Sequence, residues 1–428
     1  MTAGELPVGP FAFYRGPRLV FGIGSLGRLG AETASMGKNL LLVASRGWMK
    51  GSGRAEALLD SLARESLQCS VLEVSGEPGP ELVDEAVARF SSGDIEVVAA
   101  VGGGSAMDTG KAISAMLECG RGSVVDFLEG VGTAKPTGAK KPLIAIPTTS
   151  GSGSEATKNA VLSRLGEGGF KRSLRHDNYV PDLAIVDPEL TVTCPARVTA
   201  ACGMDALSQL VESYMSSKAS AMTDSLAFDA IGRVGRSIRA AHGGACDTGA
   251  VGKEEHLQAC AEMAYAAFVS GVTLANAGLG VVHGLAGPVG ALLPIPHGLV
   301  CGSLLAPALK VTVNKLNRVG GDGLLALRKL ARLGWLLSRT GCFSLGNTGS
   351  SDQDLLGWSL DDTVRVYVSA LVDRVYDLAR QLEIPSPSDL GLSSADCDRI
   401  VVDADNKNNP VPLDAGEMRA VLMDGGSY

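Results

Sequence analysis

The first 190 residues alternate between short apolar runs and stretches with helical spacing. Apolar runs bounded by turns are typical of strands buried on both faces. Five such runs cover residues 39–44, 70–74, 95–101, 143–147 and 183–186, and helical patterns such as 53–65 and 80–90 lie between them. Strands that alternate with helices predict βαβ units and a mostly parallel sheet.

After residue 195 the pattern changes to alanine, leucine and small residues at helical intervals. This pattern predicts helices over 197–215, 219–242, 253–272, 323–337 and 361–382. The chain is therefore expected to hold two domains. An α/β domain with a mostly parallel sheet would cover 1–192, and an all-α domain would cover 193–428.

One apolar segment, residues 263–309, has no Asp, Glu, Lys or Arg. Its hydropathy alone would suggest a membrane span. The segment also contains two histidines, four prolines and many glycines, which a continuous lipid-facing helix would not tolerate. We expect buried helices broken by a loop, and no membrane association.

Composition narrows the class of protein further. The 428 residues are 45% hydrophobic and 20% charged, with a net charge of −8, so a globular protein is expected and a basic nucleic-acid-binding surface is not. The nine cysteines form no C-x-x-C pair, which disfavours a disulfide framework and favours a reducing cytoplasm. The first residues have no basic or apolar region of a signal peptide.

A glycine-rich motif follows the run 95–101 and opens a helix. Gly102, Gly103, Gly104 and Ser105 would let backbone N–H groups approach a pyrophosphate at the start of that helix. The spacing differs from G-x-G-x-x-G, because Met107 stands where the third glycine would be. A tight strand-to-helix turn without a ligand is the alternative.

A second motif follows the run 143–147. Thr148, Thr149 and Ser152 bring hydroxyl groups to the carboxyl end of a strand, where they could bind a cofactor's amide, ribose or phosphate. The same residues could instead cap a helix.

Four residues of the second half have the chemistry of metal ligands. Asp205 and Gln209 are four apart and lie on one face of a helix, although a surface pair or helix cap is the simpler interpretation. His283 and His297 lie in the charge-free segment, where a buried histidine needs a hydrogen bond or a metal. The other three histidines, 176, 242 and 256, have polar neighbours in the sequence and are expected at the surface.

Taken in order, these motifs resemble the iron-containing (group III) alcohol dehydrogenase family over nearly the whole chain. The similarity also includes Phe21 to Ser25, Leu183 to Thr191 and Asn408 to Pro410. It implies an N-terminal dinucleotide-binding domain, a C-terminal helical domain for metal and substrate, and a homodimer or larger assembly. It also implies an NAD(P)-dependent oxidoreductase acting on a small alcohol or carbonyl compound.

The resemblance assigns the cofactor-binding residues. Gly102, Gly103, Gly104 and Ser105 would hold the pyrophosphate, and Asp108 would approach the nicotinamide-side ribose. Further matching positions are Thr148, Thr149, Ser152, Thr157, Asn159 and Lys171. Where the family has an aspartate that binds the adenine ribose, this chain has Ser45 followed by Arg46. Because a carboxylate would repel a 2′-phosphate and Arg46 would attract one, we expect NADP to be preferred over NAD.

The metal site departs from the family pattern of one aspartate and three histidines. Asp205, His283 and His297 match three ligands, but Gln209 replaces the fourth and Gly287 replaces a further histidine often given a proton-handling role. An amide is a poorer ligand for Fe²⁺ or Zn²⁺ than imidazole. Three outcomes stay open: weak metal binding through Asp205, Gln209, His283 and His297, metal-free catalysis by His283 or His297, or loss of activity.

Three other functions are compatible with parts of this pattern. A family member specialised for an unusual aldehyde would keep the same site. Sugar-phosphate cyclases have a related fold, but their motifs fit less well. A dinucleotide-binding protein without redox activity is the alternative from another class, and the changes at Gln209 and Gly287 motivate it.

Overall fold

The computed structural model describes residues 9–51, 53–120, 122–164, 169–246, 252–340 and 362–426. They form two compact units. The sheet unit comprises Arg15–Cys194 and His256–Val272, and the helical unit comprises Met1–Tyr14, Pro195–Glu255 and Thr273–Tyr428. The division into contiguous domains at 192/193 stays a prediction. The two units are not contiguous in sequence, because Met1–Tyr14 belongs to the helical unit and His256–Val272 to the sheet unit.

Six parallel strands form the sheet. They are β1 (Arg18–Phe21), β2 (Asn39–Ser45), β3 (Gln68–Val74), β4 (Val97–Gly102), β5 (Leu143–Pro147) and β8 (Leu183–Val186), and their spatial order is β1-β8-β5-β4-β2-β3. The parallel α/β fold predicted from the sequence is thus confirmed. Four of the five apolar runs lie within strands, and the run 95–101 begins two residues before β4.

Alternate residues of the central strands enter cores on opposite faces of this sheet. Leu41 and Val43 of β2 belong to one core, which helices α4 (Pro80–Phe90) and α5 (Gly104–Cys119) cover. Leu40 and Leu42 belong to the other core. Helices α1 (Leu29–Ala34) and α3 (Arg54–Arg64) cover that face, and the short α2 (Arg46–Gly51) follows β2. Burial on both faces explains why the strands have continuous apolar sequences.

A separate antiparallel hairpin was not anticipated from the sequence. Its strands are β6 (Asn159–Arg164) and β7 (Phe170–Arg175). Both strands mix charged and polar residues with apolar ones, because part of each strand is exposed, so neither gives a continuous apolar run.

The described part of the helical unit is built from helices. Those lying wholly within it are α6 (Ala196–Met215), α7 (Ala221–Cys246), α9 (Val281–Leu292), α10 (His297–Val319), α11 (Leu324–Ser338), α12 (Asp362–Gln381), α13 (Ser394–Asp403) and α14 (Ala415–Leu422). Helix α8 (Lys253–Ala277) contributes its middle part to the sheet unit. The helices predicted after residue 195 are present with ends shifted by a few residues.

The charge-free segment consists of the last part of α8, all of α9 and the first half of α10, with breaks at residues 278–280 and 293–296. Two of its prolines, Pro288 and Pro307, lie inside helices rather than ending them. Among the described residues, α8 and α10 are long and apolar enough to cross a membrane by length and composition. Their apolar windows are 56% and 78% buried within the structure, as in the core helices of soluble proteins, so this is weak support for a membrane span.

Candidate cofactor and metal sites

The strand order changes direction between β2 and β4. The chain leaves β2 toward β3 on one side and leaves β4 toward β5 on the other. In parallel α/β sheets, ligands bind beyond the carboxyl ends of strands at such a switch point. Here Ser45 ends β2 and Arg46 follows it, while Gly102 ends β4 and Gly103 to Ser105 follow it.

Glycine is required at this point by close packing. Gly102 has a φ of +154°, and a side-chain carbon there would lie 2.9 Å from Cβ of Ser45. The backbone N–H of Thr148 donates to the Gly102 carbonyl at 2.9 Å. The ends of β2, β4 and β5 are therefore brought together.

The two sequence motifs lie against each other. A side-chain carbon at Gly103 would be 3.2 Å from Oγ1 of Thr149, and one at Gly104 would be 3.0 Å from Oγ of Ser152. Gly103 is the N-cap of α5 and makes no side-chain cap, so it does not satisfy the first N–H groups of this 16-residue helix. We call Ser45, Gly102–Ser105 and Thr148–Ser152 the glycine edge. It has the donors that a pyrophosphate needs.

Asp108, one turn into α5, is already bonded to protein groups. Its Oδ1 accepts a hydrogen bond from the Ser154 hydroxyl at 2.5 Å, and its Oδ2 accepts one from the Val161 N–H at 3.1 Å. The ammonium of Lys111 lies 3.4 Å from Oδ1. The carboxylate thus fixes the loop after β5 to α5, whatever else it contacts.

Lys111 ties two further predicted residues to this network. Its Nζ donates to Oγ1 of Thr157 at 3.1 Å and to the backbone oxygen of Asn159 at 2.8 Å. Burial lowers the pKa of Lys111. Burial also raises the pKa of Glu155 to about 7, although its backbone hydrogen bond and the charge of Lys111 oppose this shift.

Two predicted cations are paired with carboxylates. Nζ of Lys171, on β7, lies 2.7 Å from Oε1 of Glu77, and Nε of Arg46 lies 3.3 Å from Oε2 of Glu73. Arg46 is more than half exposed, so a pair of this kind is weak and exchanges readily with another anion.

Within the helical unit, four side chains converge. One ligand-type atom from each of Asp205, His283, His297 and Cys301 lies within 4.8 Å of the others. Nε2 of His283 is 3.4 Å from Oδ1 of Asp205. Sγ of Cys301 is 3.6 Å from Nε2 of both histidines. We call these four residues the donor cluster.

Close helix packing produces this arrangement. His297 and Cys301 are four apart on α10 and therefore lie on one face. The glycines that follow each of them face α6: a side-chain carbon at Gly298 would collide with the Ala201 carbonyl, and one at Gly302 would lie 2.9 Å from Cβ of Met204. Helix α10 thus approaches α6 closely enough to bring its two donors to Asp205.

Glu212, two turns after Asp205 on α6, positions His283. Its side chain is buried, Oε2 lies 2.6 Å from Nδ1 of His283, and Oε1 accepts the N–H of Val282 at 2.6 Å. A carboxylate on the outer nitrogen fixes the ring and leaves Nε2 facing the donor cluster.

The pKa values reflect mutual interactions in a buried space. Burial would lower the pKa of His283, but Cys301, Glu212 and Asp205 outweigh it and hold this pKa well above the usual value. Burial would raise the pKa of Asp205, but interactions with His283 and His297 lower it. Burial raises the pKa of the Cys301 thiol to about 11.

The donor cluster fits a divalent metal. Oδ1 of Asp205 is buried without a well-formed hydrogen bond, which is costly unless another partner satisfies it. Ligands at about 2.0–2.3 Å from a tetrahedral ion are separated by roughly 3.3–3.8 Å. The distances from His283 to Asp205 and from Cys301 to both histidines lie in this range. Carboxylate, imidazole and thiol groups are all established ligands of zinc and iron.

The structure brings together three of the residues predicted from the sequence as metal ligands. Asp205, His283 and His297 come together as expected. Gln209 is buried on the same helix as Asp205. A side-chain carbon at Gly287 would meet only open space. Among the described residues, the space that the family's histidine side chain would occupy is therefore free of protein atoms next to this position.

Sequence reasoning missed Cys301 and Glu212. Their spacings, four residues after His297 and seven after Asp205, put each on a helix face already singled out, and this signal could have found them. It was wrong about His256, which is buried, with Nε2 lying 3.7 Å from Sγ of Cys260 and 3.3 Å from the Val192 carbonyl oxygen.

A parallel sheet with a glycine edge, and a helical unit with a donor cluster, are features of nicotinamide-dependent alcohol oxidoreductases, and comparisons with known proteins identify this class. Residues 16–188 match the family model described as iron-containing alcohol dehydrogenase, and residues 199–424 match its C-terminal model. The chain belongs to the iron-containing alcohol dehydrogenase family, as the motifs predicted.

Individual relatives agree. Long-chain-alcohol dehydrogenase 1 of Geobacillus thermodenitrificans is 37% identical over 310 residues, which are 70% of this chain and 75% of that protein. The structure of 1,3-propanediol oxidoreductase superposes with a TM-score of 0.80 at 27% identity, covering 97% of this chain and 99% of that one. The sulfoacetaldehyde reductase of Bifidobacterium kashiwanohense, solved with NAD⁺, gives a TM-score of 0.74 at 26% identity, covering 98% and 100%.

Proposed function

We propose that this protein interconverts a small alcohol with its aldehyde or ketone, using NADP in preference to NAD and a divalent metal. The observation that carries the proposal is the donor cluster, a set of metal-type ligands, three of them buried and His297 half-buried, in a member of this family. In an apolar interior, such a set is costly unless its charges are matched.

The glycine edge supplies the residues that would hold the dinucleotide. Gly102 to Ser105 offer backbone N–H groups to the pyrophosphate, and Thr148, Thr149 and Ser152 offer hydroxyls. The sulfoacetaldehyde reductase, a structural relative, was solved with NAD⁺. Asp108, Thr157, Asn159 and Lys171 are assigned to the cofactor by resemblance. The first three also form the Lys111 network, so their role includes fixing the loop that carries the hydroxyls.

Preference for NADP rests on Ser45 and Arg46. Ser45 adjoins Gly102 at the glycine edge. It stands where the family has an aspartate, so the carboxylate that would repel a 2′-phosphate is absent from this position. The guanidinium of Arg46 would exchange Glu73 for that phosphate, because a bidentate phosphate contact is stronger than an exposed ion pair.

Asp205, His283 and His297 would hold the metal, which is Fe²⁺ or Zn²⁺. When bound, a nicotinamide supplies the hydride and a divalent metal supplies Lewis acidity toward a carbonyl oxygen. Glu212 keeps His283 oriented through Nδ1. Because Gly287 brings no imidazole, the alcohol proton must pass to water, a ribose hydroxyl or the substrate itself.

Assembly and location are part of the proposal. Strand β1 is an edge strand among the described residues and pairs only with β8. Its Leu19 and Phe21, and Ile23 beyond its end, are exposed. An apolar edge of this kind favours pairing with another chain, which supports a homodimer. The seven cysteines whose side chains are described are free thiols, as expected in the cytoplasm.

The test has two stages. Calorimetry with NADPH and NADH measures binding. The near-ultraviolet absorbance of the reduced nicotinamide then follows turnover with a panel of small aldehydes and ketones, before and after chelation of metal. We expect a higher kcat/KM with NADPH and loss of turnover on chelation. A clear preference for NADH would refute the cofactor assignment.

A second function, dinucleotide binding without redox activity, is favoured by the altered positions Gln209 and Gly287. Tight NADPH binding without turnover on any carbonyl, in protein reconstituted with Zn²⁺ or Fe²⁺, would support it over the enzyme. Failure to bind either nucleotide would overturn both.

A further inference from the structure

The donor cluster contains a thiol where the family's ligand pattern has none. Cys301 is fully buried, one turn along α10 from His297. A buried free cysteine commonly behaves as a small apolar residue. The side of this thiol that faces the cluster, however, meets two imidazole nitrogens at 3.6 Å.

We propose that Cys301, and not Gln209, is the fourth protein ligand, and that the resulting site selects Zn²⁺. This inference rests on the proposed metal-dependent function and deepens it. Cys301 gives its thiol proton to solvent when it becomes a ligand, so the coordinating sulfur is a thiolate.

The geometry supports four donors around one point. Asp205, His283, His297 and Cys301 come from three helices, and one ligand atom from each lies within 4.8 Å of the others. Distances of 3.4 and 3.6 Å match the edges of a tetrahedron with ligands at about 2.0–2.3 Å. The set is complete without an oxygen from Gln209.

Charge and ligand chemistry favour the same choice. A carboxylate and a thiolate together neutralise a divalent ion in this buried site, whereas an amide adds no charge. Thiolates are soft ligands that select zinc, while amide oxygens suit harder ions. Zinc also accepts a fifth ligand in catalytic sites, so four protein donors are compatible with the proposed activity.

The protein fixes the positions of the donors in the absence of metal. His283 is held through Nδ1 by Glu212, and the α6–α10 contact at Gly298 and Gly302 sets the distance between Asp205 and the donors of α10. Cys301 therefore needs only a side-chain adjustment to coordinate.

The wild-type full-length protein, stripped by a chelator and reloaded, gives the primary test. X-ray absorption at the zinc edge should show one sulfur at about 2.3 Å for each zinc, with one zinc per chain by elemental analysis. Loading with Co²⁺ instead should give a thiolate-to-cobalt charge-transfer band in the near ultraviolet.

Three variants locate the sulfur. Cys301→Ser should lose the band and weaken Zn²⁺ binding by at least about tenfold, since even loss of a residue that only supports a ligand costs 10–100-fold. Gln209→Leu should keep the band. Cys260→Ser is the matched control, because Cys260 is also buried with a histidine nitrogen 3.7 Å from its sulfur, and it should keep the band too. Circular dichroism checks that each variant is folded.

The outcomes separate the two proposals. Stoichiometric zinc with only nitrogen and oxygen neighbours in the wild type, or a band that survives in Cys301→Ser, would overturn the role of Cys301 and leave the metal site standing. Zn²⁺ binding weakened in Gln209→Leu but not in Cys301→Ser, with no band in the wild type, would assign the fourth ligand to Gln209. Absence of any stoichiometric metal in the wild type would overturn the metal-dependent function itself, and the inference with it.

Discussion

Glu212 should control metal affinity although it is not one of the donors. The substitution that tests this is Glu212→Gln, which keeps the size of the side chain and removes its charge. The carboxylate has two partners at 2.6 Å, the Nδ1 of His283 and the N–H of Val282. Both are buried, so water cannot replace a lost bond.

An amide cannot serve both partners while Nδ1 of His283 keeps its proton. If its oxygen faces His283, its NH₂ group opposes the N–H of Val282. If its NH₂ group faces Nδ1, that nitrogen must accept, and the ring proton moves to Nε2, the atom that faces the donor cluster. A hydrogen bond to a charged group contributes about 1.5–3 kcal/mol. At 1.4 kcal/mol per factor of ten, we expect a loss in Zn²⁺ affinity on the order of 10- to 100-fold.

A competition titration with a chromophoric chelator measures this affinity directly, without relying on turnover. Glu212→Asp should recover part of it, because the charge is retained. Glu417→Gln is the matched control: Glu417 belongs to the same helical unit and pairs with Lys315 at 2.6 Å, and its loss should leave the Kd unchanged. If Glu212→Gln binds Zn²⁺ within twofold of wild type, the carboxylate does not hold His283 in its binding orientation.

Three further predictions concern the sheet unit. Folded Glu155 keeps its proton up to about pH 7, whereas the unfolded carboxyl releases it near 4.5, so the stability of the wild type falls as pH rises between these values. Urea unfolding at pH 5 and pH 8 should therefore show the free energy of unfolding of Glu155→Gln rising by about 3 kcal/mol relative to wild type at the higher pH. An unchanged difference between the two proteins would refute the buried protonated form. Gly104→Val would press on Ser152 and cover the helix start, so calorimetry should show NADPH binding weakened by at least about tenfold. Ser45→Asp should shift the kcat/KM ratio toward NADH by on the order of tenfold, because it sets a carboxylate against the 2′-phosphate; an unmoved ratio would place that phosphate elsewhere.

Local sequence patterns were enough to predict the main elements. Strand β5 and helix α4 were placed at their observed ends, because each combines a clear apolar pattern with turn residues beside it. The β6–β7 hairpin was not predicted, because its exposed positions interrupt the apolar pattern. Its recognition needs tertiary information that no short window contains.

The candidate site could be predicted only as far as its members stand in known motifs. Asp205, His283 and His297 were singled out by their chemistry and matched to the family's ligands by resemblance, and the structure brings them together. Cys301 was overlooked because its value depends on how closely α10 approaches α6, a distance set by two glycines. The prediction that His256 lies at the surface was wrong for a related reason, because polar neighbours in the sequence do not keep a side chain exposed.

The donor cluster draws on segments far apart in the chain. Asp205 comes from α6 and the other members from α9 and α10, so an ion bound there would act as a removable cross-link within the helical unit. Ligands that bind only the native state slow its loss to unfolding and degradation. A cell starved of the metal would then hold fewer copies of this protein, instead of a reserve of idle ones awaiting supply.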